Sequence, residues 1–199
     1  MKDIKMIVRT AMLISLPLIL TACMSAPRDR LDGDAPPPVV ASVDVERYLG
    51  TWFEIARADH SFERNCHGVS AYYERREDGL IRVINRCWES GLGGAPDIAN
   101  GRARIVDAET NAKLEVSFFG PFFGDYWIVE LADDYSWAVI SEPRGRYLWI
   151  LSREPQMAPD VLEARLAHLQ GLGFDTDGLI YPEQWESAAT APTTGLPAN

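Results

Sequence analysis

GTWFEIAR, residues 50–57, alternates like a strand, yet it opens on a glycine and places its largest side chain, Trp52, in third position. An indole there must cover something, because a ring of that size gains most from being taken out of water. The partner is in YLWILSR, residues 147–153. If the strands carrying these stretches are neighbours, Trp52 and Arg153 meet at one end of the domain. A guanidinium on the indole face is then worth about 0.5–2 kcal/mol as a cation–π contact. Such a pair closes the floor of a barrel and leaves the other end open. Gly50 lets residues 43–49 cross underneath.

Working outward, short apolar-rich segments recur at 50–58, 68–76, 80–88, 98–106, 112–119, 125–131, 136–141 and 146–152. In KLEVSFF, Leu114, Val116 and Phe118 share a face against Lys113, Glu115 and Ser117; LIRVINRC and GRARI alternate in the same way. One face of each strand is expected to meet a dry interior and the other water. Asp78-Gly79 suits a tight turn, and no connection is long enough for the crossovers that parallel strands need. A helix follows from Pro159, with Asp160 and Glu163 near its N-terminus, Leu162, Leu166 and Leu169 in one stripe, and Gly171 or Gly173 at its end. The expected fold is all-β: an eight-stranded antiparallel up-and-down β-barrel with a C-terminal α-helix packed outside. Closure removes both sheet edges and leaves room for side chains or one small ligand.

The chain has 199 residues, and its ends are expected to lie outside that fold. Residues 1–22 carry Lys2, Lys5 and Arg9 before a short apolar run and read as an export signal. Leu20-Thr21-Ala22-Cys23 resembles the bacterial lipobox, which makes Cys23 the lipidated N-terminus of the mature protein; more than one acyl chain supplies a stable anchor. Met24 follows, where Asp would resemble an inner-membrane retention signal, so an outer-membrane location facing the periplasm is expected. Residues 23–42, with three consecutive prolines, read as a tether; residues 43–186 hold the barrel and helix; residues 187–199 read as a disordered tail. Loss of residues 1–22 removes Lys2, Lys5, Arg9 and Asp3, a net +2, which takes the formal charge from −10 to −12. That acidity argues against nucleic acid as a partner.

Gly50-x-Trp52, Arg153, the Asp134-Tyr135 turn, the following helix and the preceding lipobox together resemble the lipocalins, within them the bacterial outer-membrane branch related to apolipoprotein D. The likeness covers residues 44–186, through GTWFEIAR, RVINR, LEVSFFGPFFGDYW and YLWILSREP. The usual Thr-Asp-Tyr triplet is replaced by Ala132-Asp133-Asp134-Tyr135. The resemblance implies a protein that binds or carries fatty acids or lysophospholipids for envelope maintenance, with Tyr72, Asn85 and Trp149 as ligand contacts.

Counting by twos from the floor supports a cavity independently. Arg153 inward places Leu151, Trp149 and Tyr147 inward, and Trp52 inward places Glu54, Ala56 and Ala58 inward. Val83, Asn85, Val116, Phe118, Tyr72, Tyr126 and Ile128 complete the expected lining. Glu54 is expected to pair with a buried arginine or tyrosine. FFGPFFGD, residues 118–125, falls at the open end, where its phenylalanines either form an apolar lip or fold back as core. Two copies could associate through such lips as a homodimer.

Cys66 and Cys87 are both placed near the mouth, and an oxidising compartment allows a disulfide, given a bulge to bring them opposite; the rival is a lumenal thiol, as in a lipocalin-type isomerase. There is no GxSxG, HExxH or CxxC, and His60, His67 and His168 are expected to be solvated, so no cofactor, metal or catalytic set is expected. A lipid-binding carrier is the favoured reading; an enzyme acting through a lumenal thiol and a purely structural envelope lipoprotein are the alternatives.

Overall fold

The structure is a computed structural model that describes residues 29–31 and 35–197. Cys23, the export signal and the start of the tether lie outside the described residues. The eight strands are β1 (Gly50–Arg57), β2 (Cys66–Arg75), β3 (Ile81–Glu89), β4 (Pro96–Ile105), β5 (Lys113–Ser117), β6 (Gly124–Leu131), β7 (Trp137–Ser141) and β8 (Leu148–Ser152). Each pairs antiparallel with the next, and β1 closes on β8. A four-residue helix, α1 (Val45–Tyr48), crosses the closed end, and α2 (Pro159–Gly171) follows the barrel. Asp44 caps α1 by accepting from the Glu46 and Arg47 amides.

Two apolar layers follow from the alternation. The inner one joins Trp52, Tyr73, Val83, Leu114, Ile128 and Ile140, with α1 below it. The outer one joins Ala56, Val139, Leu148 and Ile150 to Leu162, Leu166 and Leu169 of α2. The leucine stripe therefore covers the outside of β1, β7 and β8, and Arg165 and His168 anchor the helix further through Glu130, each at 2.8 Å.

The outer wall is less wet than simple alternation suggests. Arg86, expected on a solvated face, is buried: it donates to Ser70 Oγ at 3.0 Å and to the Pro192 carbonyl at 2.6 Å. Trp88 meets Trp185 edge to face at 5.3 Å. Residues 187–197, read as a loose tail, thus lie in part along β3 and β4, with Gly195 against Ile98. Val39 and Val40, in the stretch read as tether, pack against the inner core.

Register corrects one wall of the lumen. Glu54 faces Leu151, but a bulge at Ile55 then sets Ala56 opposite Ile150 and Arg57 opposite Trp149. Ala56 and Ala58 consequently point to the outer layer, not inward, and Arg57 takes the lumenal position. A bulge adds one residue, and with a side-chain period of two that exchanges the faces beyond it.

Candidate functional site

The floor is built as the sequence implies. Arg153 lies 3.8 Å from the centre of the Trp52 ring. It donates to the carbonyls of Thr51 at 2.7 Å, Arg47 at 2.7 Å and Tyr48 at 3.2 Å, stitching α1 to β1. The Trp52 N–H donates to the Tyr48 carbonyl at 2.8 Å. Gly50, at φ 92°, passes so close that an added Cβ would sit 3.4 Å from the Arg153 guanidinium.

Just above the floor, Tyr126 Oη lies 2.8 Å from Tyr48 Oη and accepts from Tyr73 Oη at 3.0 Å. Burial pushes all three phenols up, Tyr73 to about 12, so the trio is neutral and acts only by hydrogen bonding. A cavity of about 20 Å³, room for about one water, adjoins them, lined by Tyr48, Tyr73, Leu114 and Ile128 among others.

Higher up, the β2–β3–β4 registers place Ala71 opposite Asn85 and Asn85 opposite Ala99, with Gly101 facing Val83 and Ala103 facing Ile81. Ala138 adds a small side chain from β7. These short residues, not those of β1, hold the wall back. Inward-facing Ala71, Asn85, Val116, Phe118, Tyr126 and Trp149 are only half-buried although they point into the barrel, so solvent reaches the upper lumen. The side-chain oxygen of Asn85 is buried there with no partner among the described residues.

Of the expected lining, Val83, Asn85, Val116, Phe118, Tyr126, Ile128, Tyr147 and Trp149 come together around this space. Tyr72 does not: it pairs with Thr51 and Ile84 on the outer face, and Tyr73 takes the lumenal place. The β1–β2 register sets Ala71 opposite Trp52, which decides which of two adjacent tyrosines turns inward.

The mouth holds a group that strand periodicity could not reveal. In the loop after β1, His60 and Glu63 turn inward, and Glu63 reaches Trp149, whose N–H donates to it at 3.2 Å. His60 Nε2 lies 3.0 Å from the same carboxylate oxygen. Arg57 donates to Glu54 at 2.6 Å and to the Glu63 carbonyl at 2.7 Å. Glu54 therefore has the buried arginine partner expected of it, at 2% exposure. Burial, reinforced by the charge of Glu63, nevertheless pushes the Glu54 carboxyl well up. Burial works against the charge of Glu63 too, but His60, Trp149 and Arg57 together outweigh it and hold its pKa down. His60, expected in solvent, is buried, stacked on Phe62 at 3.8 Å and 5.4 Å from the Trp149 ring. His60 and Glu63 stand three residues apart in the sequence, but that spacing marks them as a pair only once the loop is known to turn them inward.

Cys66 and Cys87 are joined as a disulfide. The bulge that brings them together spans Gly68 and Val69, between the His67–Trp88 and Ser70–Arg86 pairs. Neither sulfur is a free thiol, so the enzyme alternative lacks its nucleophile here. In the loop after β5, Phe119 and Phe122 are 82% and 77% exposed, while Phe118 turns to the core and Phe123 lies under Arg104 at 4.3 Å. Half of the aromatic loop is lip and half is packing.

Residues 43–184 match the lipocalin-like domain family. The chain is 40% identical to the outer membrane lipoprotein Blc of Vibrio cholerae over 177 residues, 88% of this chain and 99% of that one. It is 40% identical to the protein of the same name in Escherichia coli K12 over 172 residues, 85% and 97% of the two chains. Mouse apolipoprotein D is 33% identical over 159 residues, 74% and 80%. Among solved structures, insecticyanin from the tobacco hornworm Manduca sexta superposes with a TM-score of 0.62 at 20% identity, covering 77% of this chain and 86% of that one, a likeness of fold.

Proposed function

Because the chain belongs to the lipocalin family, we propose that it binds a single-chain lipid, a fatty acid or lysophospholipid, with the acyl chain in the barrel lumen, and carries or stores it for envelope maintenance. The observation that carries the reading is the wall of Ala71, Ala99, Gly101, Ala103 and Ala138 around a space reached by solvent at one end and sealed by Trp52 and Arg153 at the other. Apolar lining with a few polar groups is what a small-ligand site requires. Tyr147 and Trp149, stacked at 5.8 Å, and the unpartnered Asn85 oxygen supply the contacts near the mouth.

The relatives named outer membrane lipoproteins and the lipobox at Cys23 support an outer-membrane anchor, which we propose holds the barrel on the periplasmic side. Exposed Phe119 and Phe122 at the open end suit a further role, self-association of two barrels through their lips.

The test is mass spectrometry of organic extracts from the gently purified full chain, with titration by a fluorescent fatty acid. A co-purifying single-chain lipid and saturable uptake at one site per chain are expected. Neither being found would leave a structural lipoprotein as the better reading.

A further inference from the structure

A second site lies on the outside of the barrel. The aromatic loop, residues 118–123, folds back over the outer wall of β4 and β5, and between them is a cleft of about 250 Å³ lined by Arg76, Arg82, Asn100, Arg102, Ser117 and Phe118. In a chain of formal charge −10, none of the described residues lining this cleft is acidic. Three guanidiniums, an amide and a hydroxyl converge instead.

The charges are only partly answered. Arg76 reaches Asp78 at 2.7 Å and Arg82 reaches Glu74 at 2.9 Å, both exposed pairs of the kind worth little in water. Each guanidinium has five N–H donors, so both keep donors to spare. Arg102 has no carboxylate partner among the described residues and rests its guanidinium 5.5 Å from the Phe123 ring centre. Its Nη2 stands 3.1 Å from where a Cβ on Gly120 would be, so the guanidinium lies close against the loop. Ser117, 4% exposed, has a buried hydroxyl with no hydrogen-bond partner among the described residues. A buried hydroxyl without a partner is costly, which points to an acceptor that completes it.

We propose that this cleft binds a phosphate group. One carboxylate is satisfied by one guanidinium, whereas three guanidiniums with a hydroxyl and an amide fit an anion that presents several oxygens at once. The phosphate is that of a lipid head group or the free ion; Phe119 and Phe122, in the same loop as cleft-lining Phe118 and Gly120, are exposed apolar groups that suit the former. The cleft shares Phe118 and Gly101 with the lumen wall, but Arg102 and Ser117, on which the proposal rests, belong to the outer face.

Isothermal titration of the full chain in non-ionic detergent tests it, with inorganic phosphate as one probe and micelles doped with phosphatidylglycerol as the other. Saturable binding of at least one probe is expected, weakened about tenfold or more in Arg102→Gln and by several-fold in Ser117→Ala, with fatty-acid uptake unchanged in both. Saturation by inorganic phosphate assigns the free ion; saturation only by doped micelles assigns the head group. Absence of saturation with both probes, or wild-type affinity in both variants, overturns the proposal. Because Arg102 is exposed, loss of the fold is not expected on its replacement, and thermal melting of each variant checks this.

Discussion

Arg153 lies over Trp52, 3.8 Å from its ring centre, and the same guanidinium donates to the carbonyls of Thr51, Arg47 and Tyr48. One side chain therefore joins the last strand, the first strand and the crossing helix. Arg153→Ala removes the cation–π contact and strands three carbonyls, a loss of about 2–4 kcal/mol by denaturant unfolding. Lipid uptake by the folded fraction is expected to persist, since the floor does not touch the upper lumen. Arg153→Lys restores little, because an ammonium cannot fork to the same acceptors.

Trp149 stands at the opposite end and is expected to behave in the reverse manner. Trp149→Ala should weaken binding of a fluorescent fatty acid by more than about tenfold, the cost of deleting a central aromatic contact, while lowering stability less than Arg153→Ala. If the two replacements had the same profile in both assays, the assignment of floor and lumen would be lost.

The two carboxyls at the mouth have opposite signs of pH dependence. Glu54 is pushed up by burial and then by Glu63, so any stability it contributes is present at low pH and is lost as pH rises from its unfolded value through its folded one. Glu63 is held down, so its contribution is present at neutral pH and is lost as pH falls. At about pH 7, Glu54→Gln should be neutral or stabilising, and Glu63→Gln should cost about 1–3 kcal/mol. Unfolding curves across about pH 4–7 read both slopes. A larger loss in Glu54→Gln than in Glu63→Gln would reverse the assignment of charge.

Tyr73, with Tyr48 and Tyr126, sets the alkaline limit. Its phenol is pushed from 10.0 up to about 12 by burial, so between those values the unfolded chain releases a proton that the folded one retains. Stability is complete below the unfolded value and falls as pH rises, by about 2–3 kcal/mol across the window. Tyr73→Phe should remove part of that slope while leaving the acid side unchanged.

Reduction should loosen the upper part of β2 and β3. Opening the Cys66–Cys87 bridge is expected to cost about 3 kcal/mol, and thiol titration of the denatured, unreduced chain should find neither sulfur free.

How far the sequence could be read depended on whether a residue's place was set by its neighbours in the chain or across the sheet. Strand positions, the turn at Asp78-Gly79, the helix at Pro159 and the face of Leu114 and Val116 all follow from local periodicity, and the structure has them so. The pairing of Trp52 with Arg153 was legible because each ends a strand and only closure brings them together. Errors began at bulges and between adjacent look-alikes. Ile55 carries no mark of the bulge that turns Ala56 outward and Arg57 inward, and nothing local distinguishes Tyr72 from Tyr73.

The chain alone thus settled an eight-stranded barrel with a floor and a helix outside, because period and composition act over a few residues. Only the tertiary structure decided which alanines hollow the lumen, that Glu63 and His60 turn into its mouth, and that arginines gather under the aromatic loop. Those depend on register between strands, and register is an energy of contact between segments that no single segment contains.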